Sequence, residues 1–146
     1  MVQGRYGEWE CDYPHWGEIY DAFRAVVATS HAVHWSAELV SETLYALARD
    51  NESETIAETL PPAALRVVAE QAFVNSEPDA RWQIASKLGD VDVLDREALL
   101  LRLVEDHDEY VRRRALGSLV RIGSSHVTEV ALREWSRAPD EMPCRE

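Results

Sequence analysis

This sequence predicts an all-α protein, a short solenoid of helical hairpins behind an N-terminal helical cap. Apolar residues recur at spacings of three and four along most of the chain, the period that gathers them on one side of a helix. No run alternates apolar and polar residues as a half-buried strand would, and the β-branched stretch Val91 to Val93 is too short to form one. The chain also resembles itself after a shift of 31 residues, a period typical of helical-repeat arrays.

The elements follow in order. The first dozen residues, rich in Gly, Trp and Tyr, lack a period and read as an irregular arm. A helix is expected from near Pro14, whose fixed φ suits a first turn, with Trp16, Tyr20, Phe23 and Val27 on its apolar face. Thr29 to Trp35 interrupts the pattern. Ser36 is placed as the N-cap of a second helix carrying Leu39, Val40, Thr43, Leu44 and Leu47 on one side. Asp50 to Ser53 is a polar break, and a short helix through Ile56 and Leu60 is stopped by Pro61 and Pro62. Pro62 opens the next helix, with Leu65, Val68, Ala72 and Phe73 inward. Further helices are predicted over about 78–89, 95–105, 109–122 and 126–137, with Gly89 and Gly123 as C-terminal caps. The organisation is a single domain: arm and cap helix over 1–35, a candidate degenerate repeat over 36–60, repeats over 61–138 and a tail over 139–146.

The shift of 31 places Asn75-Ser-Glu-Pro-Asp-Ala-Arg81 on Asp106-His-Asp-Glu-Tyr-Val-Arg112, Ile84-Ala85 on Ala115-Leu116, and Leu88 on Leu119. Upstream, Val68, Ala72 and Phe73 fall on Leu99, Leu103 and Val104. A further shift puts Val104 on Trp135, as a truncated terminal unit. The stretch Asp106-His-Asp108-Glu-Tyr-Val111-Arg112-Arg-Arg-Ala115-Leu116-Gly-Ser-Leu119 resembles the HEAT family motif, and Ala80-Arg81-Trp-Gln-Ile84-Ala85-Ser-Lys-Leu88-Gly89 matches its second half. The resemblance covers about residues 62–138. Residues 36–60 offer Asp50 and Leu60 at suitable places but no matching arginine, and residues 1–35 do not match. Such a resemblance implies a right-handed α-solenoid of HEAT-like hairpins, in which Asn75, Arg81, Asp106 and Arg112 form a hydrogen-bonded ladder between repeats. Independently of the family, the small residues Ala85 and Ala115 let helices approach closely, while Leu and Val fill the layers between hairpins.

Composition bounds the function. A chain of 146 residues that is 46% hydrophobic can bury a core and is not wholly disordered. Its formal net charge is −12, concentrated in residues 1–80, where 4 Arg face 14 Asp/Glu; residues 81–146 carry 11 Lys/Arg against 13 Asp/Glu. Acidity argues against nucleic acid, whose binding rests on Lys and Arg, and leaves two readings open, a basic protein partner and a charge that serves solubility alone. Cys11 and Cys144 do not make a disulfide framework. No leader-like or membrane-spanning run is expected, which places the protein in the cytoplasm.

Candidate chemistry is sparse. Cys11, His15, His31 and His34 offer four soft ligands, but their spacing matches no standard zinc motif, so no metal or cofactor is assigned. Asp106-His107-Asp108 sits where the repeat needs a turn and is read as turn chemistry. The basic stripe Arg112-Arg113-Arg114 with Arg121 is balanced by Glu105, Asp106, Asp108 and Glu109. The resembling family includes enzymes with paired His-Glu dipeptides as iron ligands, and this chain has no such dipeptide.

A non-enzymatic protein-binding module is therefore expected, in a specific version an immunity- or inhibitor-type protein masking a basic partner such as a toxin. Trp16 and Trp135 are assigned to the core. Two readings stand for Trp82: an exposed anchor or a residue packed against the N-terminal segment. By the repeat register Asp79, Gln83 and Ser86 map to Tyr110, Arg114 and Gly117. With Trp82 and Arg113 these residues are expected to line one binding face, assisted by the acidic Glu54 and Glu58. The alternatives are a metal-dependent enzyme built on the N-terminal histidines and a self-associating scaffold subunit.

Overall fold

The computed structural model describes residues 13–137. Among these residues it contains eight α-helices, one 3-10 turn and no strand. Helix α1 spans Trp16–Thr29, and the 3-10 turn Ala32–His34 leads into α2 (Ala37–Arg49). The short α3 (Thr55–Thr59) precedes α4 (Pro62–Ala72), α5 (Pro78–Asp90), α6 (Arg96–Leu103), α7 (Glu109–Arg121) and α8 (Val127–Arg137). Two rows result. The second helices α2, α5 and α7 pack side by side, and behind them α4 and α6 touch each other and their hairpin partners. Glu105, just beyond α6, ties in α8 through Arg133 at 2.5 Å and Arg137 at 3.0 Å.

Local chemistry sets most boundaries. Ser36 caps α2, its hydroxyl accepting from the Leu39 amide at 3.1 Å. Pro62 and Pro78 open α4 and α5 where the lost N–H is not needed. Asp108 caps α7, accepting from the amides of Tyr110 at 2.9 Å and Val111 at 3.1 Å. Gly123, at φ +69°, ends α7, with its own amide bonded to the Val120 carbonyl and that of Ser124 to Leu119. This paired pattern satisfies the last carbonyls and requires the left-handed conformation that glycine adopts freely.

Gly89 is not the cap expected of it. It lies inside α5, which continues to Asp90 and is capped by Val91. Its missing side chain serves packing: a Cβ there would stand 2.6 Å from the Ser118 hydroxyl and 2.6 Å from the Arg121 guanidinium. Around it, Ala85 and Ala115 are fully buried, and the Ser118 hydroxyl donates to the Ala85 carbonyl at 2.7 Å. The close approach of α5 and α7 thus comes from a run of small residues.

Ion pairs pin successive hairpins. Arg81 donates through Nε to Asp106 at 2.6 Å and through a terminal nitrogen at 3.0 Å. It also donates to the Ser76 carbonyl of its own turn. Arg112 repeats the scheme, meeting Glu134 at 2.8 Å and the Asp106 and His107 carbonyls. Asn75, placed on the ladder by register, is instead exposed. The arginines reach its turn at the Ser76 carbonyl and at Glu77, the latter held by Arg49 at 2.5 Å. Arg49 sits one residue out of register, so the 31-residue shift missed that rung.

The cap helix reaches the repeats through polar and aromatic contacts. Tyr20 donates to the fully buried Asp50 at 2.6 Å, and Asp50 also accepts the Ile56 amide at 2.6 Å. Burial first, and then the hydrogen bond and charge of Asp50, push the Tyr20 hydroxyl well above its ordinary value. Trp35 is buried edge-to-face on Phe23, centroids 6.2 Å apart.

Burial pushes the Asp106 carboxyl up. Hydrogen bonds from Arg81 and the Asp108 amide, with the Arg81 charge, together outweigh it and hold the group below its usual value. A depressed carboxyl adds stability that is fully present above about pH 4 and is lost as pH falls through the folded value. Replacing Arg81 by Met is expected to cost about 2–4 kcal/mol at pH 7 by stranding Asp106. The gap to wild type narrows in acid as the stranded carboxyl takes up a proton, which urea unfolding at pH 7 and pH 4 will measure. A Gly89→Leu variant is expected to lose about 1–3 kcal/mol in the same assay by prising α5 from α7.

Candidate partner-binding face

The second-helix row presents one surface, and the burial pattern decides which residues belong to it. On α7, Tyr110, Arg113, Arg114 and Gly117 are exposed. Arg113 lies 3.8 Å from Glu109 one turn earlier, and a side chain at Gly117 would meet nothing within 4 Å. All four positions reach solvent.

The α5 residues are less exposed. Trp82 is only 7% exposed. Tyr110 covers it edge-to-face, centroids 5.5 Å apart at 76°, and the Arg114 guanidinium lies 5.3 Å from its ring centre. Arg114 also sits 4.8 Å over the Tyr110 ring and donates to its hydroxyl. The indole N–H is satisfied by Asp79 at 3.2 Å. The exposed-anchor reading is therefore corrected: among the described residues Trp82 is covered by Tyr110 and Arg114 of the next repeat, and the irregular segment invoked by the competing reading lies outside the described residues.

Gln83, expected on the face, is 1% exposed and acts as a tether. Its amide donates to the Leu47 carbonyl of α2 at 2.6 Å and to the Asp79 carbonyl at 2.9 Å. Ser86 is half-buried, and its carbonyl accepts from Arg121 at 2.8 Å. Asp79 is half-buried beside Trp82. Trp135, assigned to the core, is 73% exposed on α8. Its counterpart Val104 is fully buried, at the end of a helix that a second helix follows, whereas no second helix follows α8 among the described residues. Trp16 is half-buried and packs on the core as expected.

Sequence reasoning missed the contribution of α2. Glu38, Glu42 and Tyr45 recur at four and three residues, all exposed, Tyr45 by 62%. They are the complement of the apolar stripe that predicted this helix, so the signal was present. The Arg49 guanidinium lies 4.1 Å over the Tyr45 ring while paired with Glu77. Beside them opens a groove of about 620 Å³ walled by Tyr13, Trp16, Tyr45, Arg49, Glu77 and Asp79. Glu54 and Glu58 belong to the linking helix α3, Glu54 half-buried at its N-cap with φ +53° and Glu58 exposed.

His15 pairs with Glu18 at 3.0 Å on α1. His31 and His34 are exposed at the two ends of the 3-10 turn. Cys11, Cys144 and the tail over 139–146 lie outside the described residues, among which no three His, Cys, Asp or Glu side chains converge on one point. No described helix is long and apolar enough to cross a membrane.

No curated protein and no solved structure gave a match to this chain. A family model described as HEAT repeats matches residues 65–145, the span whose hairpins, small-residue contacts and arginine–carboxylate rungs are set out above. Over more than half its length this chain carries the repeat, and it belongs to the HEAT repeat family.

Proposed function

We propose that this protein is a non-enzymatic binding module that masks a basic protein partner with its second-helix face, in the manner of an immunity or inhibitor protein. HEAT repeats generally mediate protein–protein contact, because stacked hairpins leave one extended face free. The observation that carries the reading is the stripe Glu38, Glu42 and Tyr45 on α2, exposed and placed on a chain of net charge −12. Neither glutamate has an ion-pair partner among the described residues, so both charges are available to steer an incoming cation-rich surface. Tyr110, Arg113, Arg114 and Gly117 extend the face along α7, and Glu54 and Glu58 add to the negative field.

The test begins with affinity capture from the source cells at low and moderate salt, followed by kinetics with the purified partner. A basic, stoichiometric partner is expected. The double variant Glu38→Lys/Glu42→Lys is expected to slow association about tenfold at low salt and to speed dissociation. Glu54→Lys/Glu58→Lys is expected to slow association while leaving dissociation unchanged. An association rate indifferent to salt and to both reversals sinks the proposal.

A second reading, self-association, draws on the exposure of Leu132 and Trp135 together on α8. Large exposed apolar side chains on one helix are a common mark of an interface. Sedimentation at several concentrations will detect it. A Trp135→Ser variant that stays monomeric where the wild type dimerises would establish the contact, and a wild type monomeric throughout would end it.

A further inference from the structure

We infer that the groove between α1, the end of α2 and the turn into α5 is a receptor for an arginine side chain, which the basic partner proposed above would supply. The inference rests on that reading for the source of the arginine and on the groove itself for the chemistry. Tyr13, Trp16 and Tyr45 line the walls, with Tyr13 and Trp16 at 83° and centroids 6.1 Å apart. Aromatic faces attract cations, and a guanidinium adds planar stacking that an ammonium lacks.

The charge balance of the groove leaves room for one more cation. Glu77 is neutralised by Arg49 at 2.5 Å. Asp79 accepts the Trp82 indole N–H and has no cationic partner among the described residues. The lining therefore carries one uncompensated negative charge inside an acidic molecule.

The rim of the groove already contains this mode of recognition. Arg49 lies 4.1 Å over Tyr45 while its guanidinium meets a carboxylate. An incoming arginine would repeat that arrangement with Asp79 as its carboxylate. A volume near 620 Å³ falls in the range of small-ligand sites and admits the side chain with its flanking peptide. The Trp16 indole N–H is shielded from water and without an acceptor among the described residues.

The full chain, labelled with ¹⁵N, will be titrated with Nα-acetyl-arginine amide while the indole N–H resonances are followed. The Trp16 signal is expected to shift saturably and the Trp135 signal to stay in place. The neutral isostere Nα-acetyl-citrulline amide is expected to bind about tenfold more weakly. Asp79→Asn, which keeps an acceptor for Trp82, is expected to weaken the arginine amide by a similar factor with the rest of the spectrum unchanged. No saturable shift at Trp16, equal binding of the citrulline compound, or indifference to Asp79→Asn overturns the inference. Binding of the arginine amide, with no charge-sensitive protein association, would leave the groove standing and remove the proposed function. The converse result would keep the function and place its contacts elsewhere on the face.

Discussion

The Arg81–Asp106 pair joins three things at once: the second helix of one hairpin, the turn of its own unit and the turn of the next. Its fork is filled on both sides, by the Ser76 carbonyl and by both carboxylate oxygens. The carboxylate in turn accepts the Asp108 amide at 2.9 Å, which sets the turn from which Asp108 caps α7. A slip of one residue along either helix would break all of these bonds together. The pair therefore fixes the register in which Ala85, Ala115, Gly89 and Ser118 meet, and with it the spacing of the second-helix row. Apolar layers supply the driving force for stacking, but they are non-directional, and the ion pair supplies the alignment.

That register also decides which side chains reach the surface. Tyr110 and Arg114 fall over Trp82 because α7 sits one repeat beyond α5, and the most obvious anchor in the sequence is thereby spent on the joint between repeats. Gln83 is used in the same way between α5 and α2. What remains outward is a face whose two ends differ in sign, carboxylates and Tyr45 on α2 and guanidinium groups with Tyr110 on α7. If a partner meets this face, the opposite signs at its two ends favour one orientation along the solenoid.

The sequence made the helices legible because their signals are local. Ser36, Pro62 and Gly123 each act on atoms within a few residues, and the inward stripes of α2, α4 and α7 need only the helical period. Gly89 was misread because its cause lies about 30 positions away, in Ser118 and Arg121. Trp82 stood undecided for a related reason: its cover could be inferred only by asking which residues of α7 face back toward α5. The same register that equated Asp79 and Gln83 with Tyr110 and Arg114 held that answer, since Gln83 faces back toward α2. Trp135 occupies the register position of Val104, yet it is 73% exposed where Val104 is fully buried, a difference that the repeat register alone does not encode. The groove escaped notice altogether, being made where α1, α2 and the turn before α5 converge, a meeting that no periodicity encodes.

In a stack where each unit touches only its neighbours, stability is apportioned along a line rather than through a sphere. Helix α5 is the one second helix with another on either flank among the described residues, so it opens last. Helices α1 and α8 each lean on one side of the stack, and local opening starts at such ends with little free energy. Tyr13 and Trp16 therefore belong to one end of the stack, while Glu77, Asp79 and Arg49 across the groove belong to helices packed further inside it. A molecule held between the two would slow amide exchange throughout α1, coupling occupancy of one small cleft to the order of the whole N-terminal cap.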